Sequence, residues 1–401
     1  MVEQIAEETL RELEEAEVEE PTKRRLTDNE IEVAYSDASF RVIYQSNNFL
    51  LPQIRDLINN RAVINLRPEY QRRLRWSNKQ KSLLIESLLL NIPIPPIFLY
   101  ESDLARYEVM DGQQRLNAVH EYLENEFALT GLEKLTYLSG RRCKKLPPKL
   151  QRGLERSSLS AIVLLHETRS DLSDPYLVRR LVFERLNTGG RPLNPQEIRN
   201  SIFRGPFNDM IVELARNNTF CGVFSIPKYT GTDLNEYYEN PERQKNTLYR
   251  TMADCQIVLR FFALLTDDHI RGSMRSILDK CMSRNQNAST DAIKEHREAF
   301  TKVIEACEKI YKGQTFLLPP SGKRADKGAR RISIALYDAN MVALYRRIAR
   351  LDELTEKRDQ IRSKMRELLR TKLALLTAKA NTAQSIKDRI AEVGRVLDTL
   401  S

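Results

Sequence analysis

The stretch that decides the fold is YEVMDGQQRLNAVHEYL, residues 107–123. An apolar run of strand character ends at Asp111-Gly112, and Leu116, Val119, Tyr122 and Leu123 then recur at helical spacing. A strand that stops where a helix starts leaves unpaired N–H groups and a partial positive charge at the junction. A glycine there lets a phosphate approach those groups. Arg115 adds a forked, permanently charged donor, and Gln113 and Gln114 can donate to phosphate oxygens or orient a water. Asp111, at the strand's end, can hold a magnesium ion through its carboxylate. The plainer alternative is an ordinary Asp-Gly turn with Arg115 on the surface.

Outward from this stretch the elements alternate. PIFLYE (96–101) and YEVMD (107–111) are short apolar runs a few residues apart, which predicts a hairpin or neighbouring strands. Upstream, QKSLLIESLLLNI (80–92) reads as an apolar helix stopped by the prolines of PIPPIF. ASFRVIYQS (38–46) reads as a strand, and LPQIRDLINNRAVI (51–64) as a short amphipathic helix running into another. Downstream, SAIVLLHET (160–168) has the β-branched crowding of a buried strand. DPYLVRRLVFERL (174–186) reads as a helix capped by Asp174 and closed at Asn187-Thr188-Gly189-Gly190. The next helix opens at LNPQE, with Asn194 as cap, Pro195 behind it and Glu197 completing a box. From about residue 207 the pattern is almost wholly helical. The expected organisation is an acidic flexible arm over 1–30, an α+β domain over 31–205 and a helical domain over 206–401.

The chain has 401 residues and a net charge of +9, but the charge is unevenly spread. Residues 1–20 hold nine glutamates and one arginine, so the arm carries −8 and the rest +17. A body that basic suits a polyanion, most simply nucleic acid, and equally suits a solvated surface. The acidic arm reads as a solubilising tail or as a segment that competes with DNA for a basic groove. The five cysteines (Cys143, Cys221, Cys255, Cys281 and Cys307) are odd in number and lack any CxxC, which predicts reduced thiols in a cytoplasmic protein. No apolar run is long enough to span a bilayer.

Three further constellations stand out. LRPEYQRRLRW (66–76) gathers Arg67, Arg72, Arg73 and Arg75 around Tyr70, Gln71 and Trp76. Its arginines suit phosphates as bidentate forks and its aromatics suit a nucleobase, unless Tyr70 and Trp76 simply anchor a core. FERLNTGGRPLNPQE (183–197) sets a glycine pair between two capped helices, which an ordinary turn explains equally well. GKRADKGARR (322–331) is a basic loop of the kind that tracks a nucleic-acid backbone or stays solvated. His120, His166, His269 and His296 form no HxxxH, HExxH or His-Asn-His pattern, and neither a Walker A sequence nor a serine nucleophile elbow is present.

Together, PEYQRRLRW, LLNIPIPPIFLYE, YEVMDGQQRLNAV and FERLNTGGRPLNPQEIRNSIF resemble, in order and spacing, the GmrSD-type restriction N-terminal family. This is the domain of unknown function 262, of the ParB/sulfiredoxin-like superfamily. The resemblance covers residues 45–205 and fades after DCQIVLRFFALL. It implies a ParB/sulfiredoxin-like N-terminal domain followed by a mainly helical C-terminal domain. PEYQRR looks like one phosphate box of ParB-like proteins and DGQQRL like the other. By that analogy Tyr70, Gln71 and Arg72 face Asp111, Gly112, Gln113, Gln114 and Arg115 across a nucleotide, with Asn187, Gly189 and Gly190 closing one side.

Relatives of this family couple nucleoside-triphosphate hydrolysis to restriction of foreign DNA. The resemblance therefore implies a nucleoside triphosphate and Mg2+ as cofactors and DNA as partner, with no membrane. Such relatives commonly add a His-Asn-His nuclease, for which no histidine set exists here. A separate nuclease or methyltransferase, and self-assembly, remain open as partners. The expected roles are Asp111 at the metal or attacking water, Gln114 orienting that water, and Arg115 and Arg72 neutralising phosphate charge. The alternatives are a nucleotide-sensing or DNA-binding module without turnover, and a ParB-like metal-dependent nuclease working through Asp111.

Overall fold

The computed structural model describes residues 2–17, 27–29, 32–33, 43–60, 63–65, 76–165, 181–182, 185, 194–231, 237–238, 240–318, 331–377 and 382–399. The chain is α+β and divides into two units, 24–193 and the pair 1–23 with 194–401. Helix α1 (Val2–Glu17) opens the chain and belongs to the second of these units.

Unit 24–193 is built on a five-stranded sheet, β1 (Tyr44–Leu50), β2 (Ile64–Asn65), β3 (Ile97–Asp103), β4 (Arg106–Asp111) and β5 (Ser158–Leu164), in the order β1-β5-β3-β4-β2. β3 and β4 form the antiparallel hairpin that the sequence predicts, with Leu99 opposite Val109. β5 lies parallel to β3 and antiparallel to β1, while β2 lies parallel to β4 with Ile64 opposite Tyr107 and Asn65 opposite Glu108. Of the strand expected at 38–46, residues 44–46 lie in β1, which runs on to Leu50, and residues 34–42 lie outside the described set.

Helices α2 (Leu51–Asn59), α3 (Asn78–Leu89), α4 (Gln113–Leu123) and α5 (Pro148–Arg156) complete this unit. One face of the sheet, through Ile97, Leu99, Val109, Leu159, Ala161 and Val163, packs on Leu51, Ile85, Leu116 and Val119 of the helices. Burial of such side chains contributes roughly 1.5–3 kcal/mol each. Ser77 caps α3 and accepts from the Gln80 N–H, whose own side chain reaches back to Ser77, so the helix starts where the polar pair sits. Trp76 packs partly buried against this core, which selects the anchor reading of its ring.

Among its described residues the other unit is helical apart from the two-residue pair β6 (Leu317–Leu318) and β7 (Arg331–Ile332). Its longer helices are α6 (Pro195–Ile202), α7 (Pro206–Leu214), α8 (Ala253–Ala263), α9 (Met274–Asn285), α10 (Thr290–Tyr311), α11 (Ile334–Tyr345), α12 (Arg358–Thr371) and α13 (Ala383–Asp398). The Asn194 cap forms as read, accepting from the Gln196 and Glu197 N–H groups at 2.9 and 3.0 Å.

The expectation of a flexible acidic arm is corrected. Residues 2–17 are a helix whose Ala6, Thr9, Leu13 and Ala16 are buried in the helical unit. Two of its acids are spent on internal partners. Glu17 accepts a bidentate pair from the buried Arg199 at 2.8 and 2.6 Å, and Glu12 accepts from the Ile334 and Ala335 N–H groups at the start of α11. Asp279 holds the remaining edge of Arg199 at 2.6 Å. A buried arginine needs this many acceptors, because losing water costs several kcal/mol per ion.

No helix among the described residues is long and apolar enough to cross a membrane. All five cysteines are free thiols, four of them buried.

Candidate functional site

The turn from β4 into α4 is fixed by sterics first. Gly112 has φ 90°, in the left-handed region, and a Cβ placed on it would lie 2.5 Å from Cγ2 of Ile97 on the neighbouring strand. Only glycine fits both demands. Gly112 and Gln113 are themselves buried, which differs from an open amide cradle at those two residues: the missing side chain makes room for Ile97. The partly exposed groups of the turn are Asp111, Gln114 and Arg115.

Arg115 is engaged on two sides. One terminal nitrogen donates to the Asp111 carboxylate at 2.5 Å, one helical turn back, and the other donates to the carbonyls of Pro95 and Pro96. This segment lies outside any strand or helix, and the forked cation engages two of its carbonyls. The arginine side chain is 13% exposed and the aspartate 38%, so the pair sits at a surface with the carboxylate on the outer side. The PIPP segment is thus part of the site, and the sequence reading used it only as a helix stop.

Gln114 accepts from the backbone N–H of Trp76 at 3.2 Å. This contact holds Trp76 beside the first turn of α4, and Asn65 pairs with Glu108 of β4. Tyr70, Gln71 and Arg72 lie outside the described residues, as do Asn187, Gly189 and Gly190. Of the expected site residues the structure therefore brings together Asp111, Gly112, Gln113, Gln114 and Arg115. Around the turn, Lys81 of α3 binds Glu121 of α4 at 2.6 Å, and the buried Glu86 accepts from the N–H groups of Glu133, Lys134 and Leu135. Burial pushes the Glu86 carboxyl up, but those three donors outweigh it and hold its pKa below the ordinary 4.5.

No group of three or more His, Cys, Asp or Glu side chains among the described residues is arranged to hold a metal. The donor set at the turn is a single carboxylate with one oxygen already bound to Arg115. That set fits Mg2+ when substrate phosphates supply the remaining ligands, the usual arrangement for this ion.

Fold and turn together define an α+β domain with an acid–arginine turn at a strand's carboxyl end, joined in sequence to a helical unit. Residues 54–204 match the family model described as the GmrSD restriction endonuclease, N-terminal domain. The description of that family points to restriction or defence. No curated protein and no solved structure matches the chain.

Proposed function

We propose that the β4–α4 turn and the arginine-rich stretch form one pocket for a nucleoside triphosphate with Mg2+, and that its hydrolysis is coupled to DNA binding in restriction or anti-phage defence. What supports this reading is the placement of two described residues, Asn65 paired with Glu108 of β4 and Trp76 bonded to Gln114 of α4. In this reading Arg72, with Tyr70 and Gln71, meets the phosphates, and Asn187, Gly189 and Gly190 close the pocket. Gly112 and Gln113 act through the shape of the turn. Bound Mg2+ would neutralise charge on the phosphate oxygens. Asp111 supplies the carboxylate oxygen that holds the metal or aligns the attacking water. Gln114 keeps its amide N–H pair free to orient that water while its oxygen stays on Trp76. Arg115 first positions Asp111 and then turns towards the developing charge. Such positioning and charge stabilisation are most of what phosphoryl transfer asks of a protein.

The saturated state of Arg115 favours a second reading, in which the nucleotide is sensed without turnover and a separate nuclease cuts the DNA. Phosphate release from each nucleoside triphosphate with Mg2+, with and without DNA, decides between them. Hydrolysis that falls about 100-fold or more in Asp111→Asn, the scale for losing one preorganised group, supports the first reading. Tight binding without release selects the second. Wild-type rates in Asp111→Asn would remove the turn from the chemistry.

A further inference from the structure

The helical unit contains a cavity of about 500 Å³ between α10, α11, α12 and the β6 strand. Its size falls within the roughly 300–1,000 Å³ of small-molecule sites. Phe316, Leu317, Leu336, Met365 and Leu369 supply an apolar wall. The polar atoms set into that wall are already spent on one another. The Tyr311 hydroxyl donates to the Asn340 side-chain oxygen at 2.6 Å, and the Asn340 amide donates to the Leu336 carbonyl at 2.8 Å. Gln314 is exposed at the rim, where water serves it. The described wall therefore asks a ligand for no hydrogen bond and rewards the burial of apolar surface.

The rim is basic. Arg362, Arg366 and Arg370 are spaced by four along α12, which stacks them on one face at intervals of about 6 Å. They are not equivalent. Arg362 is occupied, donating to the Ile310 carbonyl and to Asp359. Arg366 is exposed and uses only its Nε, on the Arg362 carbonyl at 3.3 Å. Arg370 is exposed, and its side chain makes no hydrogen bond or ion pair among the described residues. No aspartate or glutamate among the described residues lines the cavity. Two forked cations therefore border an apolar space with no acid assigned to them.

We propose that this cavity binds an amphipathic anion, with an apolar body against the wall and one acidic head, carboxylate or phosphate, at Arg366 and Arg370. The two halves of the ligand follow from separate observations. A body with polar edges would give up its water for a wall whose polar groups are already paired, at a desolvation cost, so the wall selects an apolar one. Two guanidinium forks one turn apart, with no carboxylate beside them, select a negative head over a neutral or cationic one. That head stays at the wet rim, so binding buries no charge. The site lies in the helical unit and does not depend on the triphosphate reading of the β4–α4 turn.

The test is calorimetric titration of the full chain with ligands that share one body and differ in the head: decanoate, decyl phosphate, decanol and decyltrimethylammonium, each below its micelle concentration. The expected result is a single site that takes decanoate or decyl phosphate about tenfold or more tightly than decanol, the scale of a charge-assisted contact, and rejects the cation. The tighter of the two anions identifies the head. In Arg366→Ala/Arg370→Ala, which removes two exposed side chains, both anions should fall to the affinity of decanol while decanol itself is unchanged. Leu369→Trp fills the cavity without changing charge and should weaken decanoate and decanol alike by about tenfold or more. Equal affinity for decanoate and decanol, anion binding unaltered in the double-arginine variant, or adenosine monophosphate binding as tightly as decanoate overturns the proposal.

Discussion

Replacing Gly112 by alanine tests the geometry on which the site rests. Two costs follow from the structure. The φ of 90° puts an L-residue in the left-handed region, at about 1–2 kcal/mol. The new Cβ would also lie 2.5 Å from Cγ2 of Ile97 and 3.2 Å from its Cα, and such overpacking in a core costs about 1–3 kcal/mol. Gly112→Ala should therefore destabilise this unit by roughly 2–5 kcal/mol. Ile97→Ala, a fully buried truncation, should cost about 2–5 kcal/mol by itself. In that background most of the overlap is gone, so adding Gly112→Ala should cost only the backbone share, with a coupling of about 1–3 kcal/mol. Trp76, the chain's one tryptophan, packs on the core of this unit, so its fluorescence during urea unfolding reports this unit. A cost below about 0.5 kcal/mol for Gly112→Ala, or the same cost in both backgrounds, would refute the steric account.

Other consequences are as direct. Arg115→Lys removes the fork that bridges Asp111 and the proline carbonyls, and should lower stability by about 1–2 kcal/mol in the same urea assay. Glu86→Ala strands three backbone N–H groups and should cost roughly 1–3 kcal/mol, read by thermal unfolding. Because the folded Glu86 carboxyl has a lowered pKa, its contribution is complete above 4.5 and is lost as the pH falls through the lower folded value. Glu86→Gln should flatten that acid limb. Glu17→Ala leaves Arg199 buried with half its acceptors and should destabilise the helical unit by about 3–5 kcal/mol, measured by circular dichroism in urea.

Much of the α+β unit is legible because its signals are local. The β3–β4 hairpin, the Asp111-Gly112 turn and the Asn194 cap each lie within a few residues of their partners, so period and capping chemistry reveal them. The acidic helix is not legible in that way. Charge composition averages over α1 and hides the stripe of Ala6, Thr9, Leu13 and Ala16. Its decisive partners, Arg199 and Arg331, lie 182 and 319 residues away from Glu17 and Glu12. Arg199 itself looked like one more charge on a capped helix. At the candidate site the turn and its glycine were readable, but the neighbour that requires the glycine, Ile97, and the carbonyls that engage Arg115 come from a strand pairing no local pattern states. The cavity in the helical unit is likewise assembled from α10, α11 and α12, which only the tertiary packing brings together.

The central claim is that one triphosphate is held between the arginine-rich stretch and the β4–α4 turn. Equilibrium binding of a non-hydrolysable nucleoside triphosphate, titrated with and without Mg2+, tests it in wild type, Arg72→Ala and Asp111→Asn. Arg72→Ala should bind about tenfold or more weakly, the scale of one charge-assisted contact, and Asp111→Asn should lose the Mg2+ dependence. Both variants binding with wild-type affinity and wild-type Mg2+ response would contradict the account.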